Sequence, residues 1–152
     1  MKTDILRASP AEAHLLARVA VDVFDAPIEQ RKLAAYLAEP GHLMVLAVAG
    51  GEVVGQARGI VHRHPDLPTE LYIDNLGVTP DRRRERVATR LLDELVKWGQ
   101  EKGCEEAWVG TEPDNAAARA LYDRRGAEAE TFVMYVYELA PSSPPAKREG
   151  RG

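Results

Sequence analysis

Five arginines lie within nine residues of the chain, at Arg82, Arg83, Arg84, Arg86 and Arg90, and so dense a cluster could hold an anion. They follow a predicted strand and a Thr-Pro-Asp turn, and we predict that a helix begins near Arg84. The free N–H groups and positive dipole end of a helix start bind phosphate, and guanidinium groups add charge-assisted hydrogen bonds. The arrangement indicates a compact polyanion such as a pyrophosphate, although a solvated basic helix face would show the same run of charges.

A second candidate group is a carboxylate in an otherwise apolar strand. Asp74 and Asn75 interrupt the strand predicted over Glu70–Val78. A carboxylate in an apolar strand costs free energy unless it is exposed to solvent or serves a function. Because side chains alternate along a strand, we expect only one of the two to point into a cleft. Asp74 is the candidate general base and Glu70, on the same strand face, is the reserve. A structural or substrate-binding carboxylate would have the same signature.

A third group combines Asn115, Ala118 and Tyr122, which lie at i, i+3 and i+7 and therefore share one face of a predicted helix. An amide, a small residue and a phenol on one face suit a narrow ligand channel with a polar end. A helix cap at Asn115 and a core aromatic at Tyr122 would explain the same residues.

His62 and His64 form an H-x-H pair that could bind a metal, but no third ligand is evident, so we predict a solvated loop and no metal.

Composition excludes several classes of protein. The 152 residues suit one domain, and the single cysteine, Cys104, excludes an intrachain disulfide and a multi-cysteine zinc site. No run of about 18 apolar residues and no apolar signal core is present, so we expect a cytoplasmic protein with no membrane contact. The formal net charge of −4 disfavours nucleic acid as a partner. The chain also lacks the glycine-rich patterns of P-loop and dinucleotide sites.

Periodicity and turn signals predict the order β-α-α-β-β-β-α-β-α-β. This order predicts one α/β (α+β) domain over residues 1–140, with a mixed central sheet and helices on both faces, and a disordered tail over 141–152. Gly50-Gly51 predicts a hairpin turn. The predicted strands are Thr3–Ala8, Leu43–Ala49, Val53–Val61, Glu70–Val78, a buried strand Glu106–Thr111, and Thr131–Leu139. The predicted helices run from Ser9 to Phe24, over Glu29–Leu37, from near Arg84 to Gly103, and from Pro113 to Gly126.

Three segments of the chain resemble the GNAT superfamily of acetyl-CoA-dependent N-acetyltransferases. They are YIDNLGV with the turn TPD, RRRERVATRLL against the family pattern Q/R-x-x-G-x-G/A, and NAAARALYDRRGA against N-x-x-A-x-x-L-Y-x-x-x-G-F. The resemblance covers residues 3–139, in matching element order, and implies the GNAT fold. It departs from the pattern at the family's first glycine, where this chain has Arg86. We expect that substitution to cost little if Arg86 has ordinary helical backbone angles.

The resemblance implies a role for each matching residue. The backbone of Leu76, Gly77 and Val78 would pair with the pantetheine arm of acetyl-CoA, and Asn115 would contact the same arm. Tyr122 would lie near the sulfur and act as the acid that protonates the departing thiolate, while Asp74 would act as the base, directly or through water. The pyrophosphate would be lined by Arg83, Arg84, Arg86, Val87, Ala88 and Thr89.

The implied function is direct transfer of an acetyl group from acetyl-CoA to a primary amine, with no metal. Within the family the chain is similar to aminoglycoside 3-N-acetyltransferases. Three segments carry this similarity: VVG with the proline-bearing loop after it, ELYIDNLGV, and the ending GAEAETFVMYVYEL. This similarity implies a small cationic acceptor and allows a homodimer. A non-catalytic CoA-binding regulatory domain and an acetyltransferase of protein or peptide amines remain alternatives. Acidic residues that could attract a cation are Asp22, Asp25, Glu29, Asp66 and Glu70.

Overall fold

One mixed β-sheet organises the molecule, and the computed structural model describes it over residues 2–140, apart from the side chain of Arg84. The strands are β1 (Thr3–Arg7), β2 (His42–Ala49), β3 (Glu52–His62), β4 (Glu70–Val78) and β5 (Glu106–Val109). They lie side by side in that order, antiparallel from β1 to β4, whereas β4 and β5 run parallel. The predicted mixed sheet and the parallel β4–β5 pair are confirmed.

Helices cover both faces of this sheet, as predicted. They are a 3₁₀ helix (Pro10–Ala17), α1 (Gln30–Leu37), a second 3₁₀ helix (Pro80–Glu85), α2 (Val87–Glu101) and α3 (Ala116–Arg124). Alternate residues of β2 separate two cores. Leu43 and Val45 pack in the core with α2 and α3, whereas Met44 and Leu46 pack in the core with the first 3₁₀ helix and α1. We call these two sides the α2 face and the α1 face.

Local signals in the sequence account for several element boundaries. Gly50 and Gly51 have φ of 58° and 77° and join β2 to β3 in the predicted hairpin. Ser9 and Glu12 form the capping box expected from their spacing, because the backbone N–H of Ser9 donates to Glu12 at 2.8 Å. Gly126, at φ 83°, ends α3. Among residues 2–140, no helix is long and apolar enough to cross a membrane.

The first predicted helix is wrong in type and length. The sequence predicts an α-helix from Ser9 to Phe24, but the structure has a 3₁₀ helix that ends at Ala17. After it, the backbone N–H of Ala20 donates to the carbonyl of Val53, and the N–H of Val53 donates to the carbonyl of Arg18, both at 2.9 Å. The segment therefore exchanges intrahelical hydrogen bonds for bonds to the start of β3, a tertiary contact that outweighs helix propensity.

The last predicted strand is also wrong. Thr131–Leu139 forms no strand in the structure, and its side chains are exposed, with Leu139 93% accessible. As a result β5 is an edge strand, shorter and more exposed than the buried strand predicted over Glu106–Thr111. A β-prone segment becomes a strand only where a ladder partner is available, which the residue pattern cannot show. The predicted tail, residues 141–152, lies outside the described residues.

Candidate active site

The central feature of the site is the place where β4 and β5 part. The two strands pair only from Glu70–Ile73 on β4 to Glu106–Val109 on β5, after which β4 continues to Val78 with β3 as its partner. Crevices at the carboxyl ends of parallel strands are common ligand sites in open α/β sheets. The predicted pantetheine-binding residues, Leu76, Gly77 and Val78, lie in this stretch, which has no β5 partner.

Gly77 allows a loop to cross β4 at close range. A Cβ atom placed on Gly77 would collide with the carbonyl oxygen of Val23, so any larger residue would displace the backbone of that loop. Asp22 precedes Val23 with φ of 65°, a left-handed conformation that turns the chain there. The glycine therefore sets the position of the 22–25 segment over the site.

A β-bulge in β4 corrects the prediction that only one of Asp74 and Asn75 can point into a cleft. Arg58 on β3 pairs with Asn75 and the next residue, Gly59, pairs with Ile73, so Asp74 is an extra residue on β4. Asn75 reaches Asp25, and Asp74 acts electrostatically on Tyr36 of α1. Both side chains thus lie on the α1 face, because the bulge breaks strict alternation.

Asn75 holds a buried amide network. Its Oδ1 accepts a hydrogen bond from Gln56 Nε2 at 2.7 Å, and Gln56 Nε2 also donates to the carbonyl of Val23 at 3.1 Å. Asn75 Nδ2 donates to Asp25 Oδ2 at 3.4 Å. The network fixes the 23–25 loop against the sheet and aims Asp25 at a cavity. Gln56 was missed in the sequence analysis, although a glutamine within the apolar run of β3 was a usable signal.

The cavity on the α1 face has a volume of about 530 Å³. Its wall comes from the end of the first 3₁₀ helix and the loop that leads to α1. The lining residues are Leu16, Ala17, Val19, Ala20, Phe24, Asp25, Ala26, Pro27, Ile28 and Gln30. Asp25 is the one anionic residue among those that line the cavity.

Tyr36 on α1 is a partly buried phenol on the same face of the sheet. Burial raises the pKa of Tyr36 well above its ordinary value, and the charge of Asp74 raises it further, while Arg58 opposes the shift. The Tyr36 hydroxyl and Arg58 Nε are buried and have no hydrogen-bond partner among the described residues. Unpartnered buried polar atoms of this kind mark a place where a water or a ligand group would bind.

The start of α2 differs from the prediction. The sequence places a helix start near Arg84, but Pro80–Glu85 forms a 3₁₀ helix and α2 begins at Val87. The first intrahelical bond runs from Arg90 N to Arg86 O at 3.1 Å, so the N–H groups of Val87, Ala88 and Thr89 have no helical acceptor. No side chain of the described residues caps them. Free N–H groups at the start of a 15-residue helix are a geometry that suits an anion.

Arg86 occupies the left-handed region, with φ of 59° and ψ of 26°. The expectation of little cost required ordinary helical angles at Arg86, which the residue does not have. A side chain in this conformation costs roughly 1–2 kcal/mol, which a glycine would avoid. A left-handed residue after a right-handed turn also aims successive N–H groups inward as an anion nest.

Some arginines of the cluster make hydrogen bonds within the fold, whereas Arg86 lines an open pocket. Arg83 Nε donates to the carbonyl of Val78 at 3.0 Å, and Arg90 donates to the carbonyl of Thr3 at 2.9 Å. The pocket, of about 470 Å³, is lined by Arg86, Thr89, Leu121, Arg124 and Arg125. Arg124, the last residue of α3, and Arg125, which follows it, were missed from sequence, although the run DRRG before the helix end contained them.

Leu121 and Tyr122 bring α3 against the α2-face core. Asn115 caps the helix, since its Oδ1 accepts from Ala118 N at 3.1 Å. Tyr122 is half-buried against the α2-face core, and burial raises the pKa of its phenol. The structure therefore brings Tyr122 to the α2 face and Asp74 to the α1 face. The stretch of β4 that has no β5 partner lies between these two faces.

Comparisons with known proteins agree with this architecture. Residues 11–127 match the acetyltransferase (GNAT) family. An aminoglycoside N(6')-acetyltransferase type 1 from Salmonella typhimurium is 27% identical over 95 residues, which cover 59% of this chain and 65% of that protein. The chain thus spans less than two thirds of that curated relative. Its designation is 6′, whereas the similarity noted from sequence was to 3-N enzymes.

Solved structures show the same fold. AAC(6')-Iy in complex with the bisubstrate analog CoA-S-monomethyl-acetylneamine superposes with a TM-score of 0.76 at 20% identity, over 92% of this chain and 100% of that one. A transcriptional regulator from Bacillus halodurans C-125 superposes with a TM-score of 0.75 at 15% identity, over 90% and 100%. Proteins with different names share this fold, so the activity must be argued from the site.

Proposed function

The chain belongs to the acetyltransferase (GNAT) family, and from this premise we propose that it transfers the acetyl group of acetyl-CoA directly to a primary amine of a small cationic molecule. The observation that carries the proposal is the parting of β4 and β5 beside the uncapped start of α2. A strand edge and an anion site in one crevice suit a ligand with an amide-bearing arm and a pyrophosphate. Because acetyl-CoA is an intracellular metabolite, we also propose a cytoplasmic location.

The residues divide the binding of acetyl-CoA between strand and helix. The backbone of Leu76–Val78 offers a strand edge to the pantetheine arm, and Asn115, at the start of α3, would contact the same arm. The N–H groups of Val87, Ala88 and Thr89 are the donors for the pyrophosphate, with Arg86 and Arg124 as its cationic wall. Arg125 lines the same pocket but pairs with Asp93 at 2.8 Å. Arg83 and Arg84 belong to the preceding 3₁₀ helix, next to this wall.

The chemistry needs a base on the acceptor side and an acid on the sulfur side. Acetyl-CoA supplies the acetyl group and a thiolate leaving group. Asp74 takes a proton from the attacking amine, directly or through water, because an alkylamine must be neutral to react. Tyr122 holds its phenolic proton firmly, since burial raises its pKa, and can donate it toward the departing sulfur.

A cationic acceptor is supported by the charges on the α1 face. Asp25 lines the 530 Å³ cavity, and Asp74 lies on the same face. Of the other acidic residues considered, Glu29 pairs with Lys32 at 2.7 Å and Glu70 with His64 at 2.7 Å, so both are engaged elsewhere. The relative named for aminoglycosides supports the same class of acceptor, a polyamine sugar.

The test is incubation of the full chain with acetyl-CoA and a panel of aminoglycosides, diamines and N-terminal peptides, followed by mass spectrometry. We expect a gain of one acetyl group on an aminoglycoside and release of free CoA. Acetylation of peptides alone would favour the protein-amine alternative. Binding of CoA by calorimetry without turnover on any amine would favour the regulatory alternative, and absence of CoA binding would overturn the proposal.

We also propose that the chain forms a homodimer through its C-terminal segment. Thr131–Leu139 is almost entirely apolar and exposed, while β5 has an open edge among the described residues. A second copy could supply the missing ladder partner and cover this apolar surface. Light scattering of the wild type should give twice the chain mass. Val136→Lys should shift the protein to monomer, and the control Glu138→Lys should leave the dimer intact. A wild-type monomer at all concentrations would contradict it.

A further inference from the structure

A cluster of two histidines and a glutamate stands apart from the active site, at the other end of β4. The β3–β4 register pairs His62 with Glu70, and the loop of residues 63–69 connects them. His64 lies two residues into that loop and turns back to Glu70. The register therefore supplies the third ligand that was not evident in the sequence, where Glu70 stands eight residues beyond His62.

The three side chains converge on one point. Glu70 Oε1 lies 2.7 Å from His64 Nε2 and 3.5 Å from His62 Nδ1. One ligand atom from each residue can be chosen so that all lie within 4.8 Å of one another. The imidazole centroids are 4.2 Å apart. His64 and Glu70 are largely shielded, with side-chain exposures of 18% and 24%, whereas His62 is open to solvent.

These separations approach the dimensions of a zinc site. With zinc bonds of about 2.0–2.2 Å, adjacent ligand atoms in a tetrahedron lie about 3.3–3.5 Å apart. The His62–Glu70 separation already has this value, and the His64–Glu70 separation needs to open by less than about 1 Å. Two imidazoles and one carboxylate form a known zinc ligand set, and they leave a fourth position for water.

We propose that His62, His64 and Glu70 bind a zinc ion that holds the 63–69 loop to β3 and β4. The ion would replace a hydrogen bond between one histidine and the carboxylate with bonds from all three side chains to one center. Glu70 and Leu76 are six positions apart, about 20 Å along a strand, so the ion is distant from the proposed acetyl transfer. Its role is to fix the loop, and the proposal does not depend on the proposed function.

The test is calorimetric titration of zinc into the untagged full chain after treatment with a chelator. We expect one zinc ion per chain, with affinity reduced by more than about tenfold in His64→Gln and Glu70→Gln. Glu70→Gln retains a hydrogen-bonding group for His64, so its fold should survive, as circular dichroism would verify. His14→Gln is the matched control, because His14 is an exposed histidine outside the cluster, with its Nδ1 3.1 Å from the carbonyl oxygen of Ala11.

A second measurement reports on the loop itself. Arg63 is exposed in the 63–69 loop, so trypsin can cleave after it. Zinc should slow that cleavage in the wild type and in His14→Gln, but not in Glu70→Gln. Equal zinc affinity in wild type and Glu70→Gln, an equal loss in His14→Gln, or no binding by the wild type would each overturn the proposal.

Discussion

Asp74 and Tyr122 lie on opposite faces of the sheet, on either side of the stretch where β4 has no β5 partner. Asp74 faces α1 and acts on the buried hydroxyl of Tyr36, whereas Tyr122 packs on α3 against the α2-face core. In acyl transfer the amine adds to the thioester carbon and the thiolate leaves from the tetrahedral intermediate, so the base and the acid act on different atoms. The proposed base Asp74 and the proposed acid Tyr122 approach the crevice from different faces, which is compatible with direct transfer.

Tyr122→Phe should lower kcat by about a hundredfold and leave CoA affinity nearly unchanged. The substitution removes the phenolic proton but keeps the ring that packs against the core. Steady-state kinetics and calorimetry with CoA would measure the two effects. Tyr137→Phe, at an exposed tyrosine, is the control and should behave as wild type. Unchanged turnover in Tyr122→Phe would remove the phenol from the chemistry.

Asp74→Asn should lower kcat by about a hundredfold at neutral pH, because the amide cannot accept the proton of the amine. The same change should lower the pKa of Tyr36, since the charge of Asp74 now raises it, while burial keeps that pKa above the ordinary value. Kinetics and ultraviolet titration of the tyrosines would follow the two effects. A lower Tyr36 pKa with normal kcat would show that Asp74 is a structural carboxylate.

Arg86→Gly should raise the free energy of unfolding by about 1 kcal/mol, because the residue has φ of 59° and glycine relieves the strain. CoA affinity should be kept or improved. Urea denaturation and calorimetry would measure both. Lys97→Gly, in the interior of α2, is the opposite control and should cost about 1 kcal/mol. A large loss of CoA affinity in Arg86→Gly would identify Arg86 as a phosphate ligand.

Tyr36→Phe should flatten the dependence of stability on high pH. In the folded state the pKa of Tyr36 is raised, so the unfolded chain loses this proton first and wild-type stability should fall above about pH 10. At neutral pH the change should cost less than about 1 kcal/mol, since the hydroxyl has no partner among the described residues. Denaturation at several pH values, with Tyr135→Phe as the exposed control, would test this; an unchanged slope would contradict it.

Local patterns predicted those parts of the fold that depend on neighbours in sequence. The hairpin at Gly50-Gly51, the cap at Ser9 and the end of α3 at Gly126 each follow from turn or cap chemistry within a few residues. The amphipathic period of α2 predicted its core face, because Leu91, Leu92 and Leu95 repeat at helical spacing. Such features are specified locally, so the structure confirms them.

Features that depend on a distant partner were not predictable. The segment after Ala17 has helical periodicity but forms hydrogen bonds to β3. Thr131–Leu139 has strand propensity but forms no strand, because no neighbouring strand pairs with it. The bulge at Asp74 depends on the register of β3, which no alternation pattern encodes. Glu70 joins His62 and His64 for the same reason.

The sequence by itself determined the family resemblance and the mixed sheet, because motif spacing and periodicity carry that information. Tertiary structure alone decided which face Asp74 and Asn75 share, that Arg86 is left-handed, and that Arg124 and Arg125 face the start of α2. These outcomes depend on strand register and helix packing. Both are set by contacts between residues far apart in the chain.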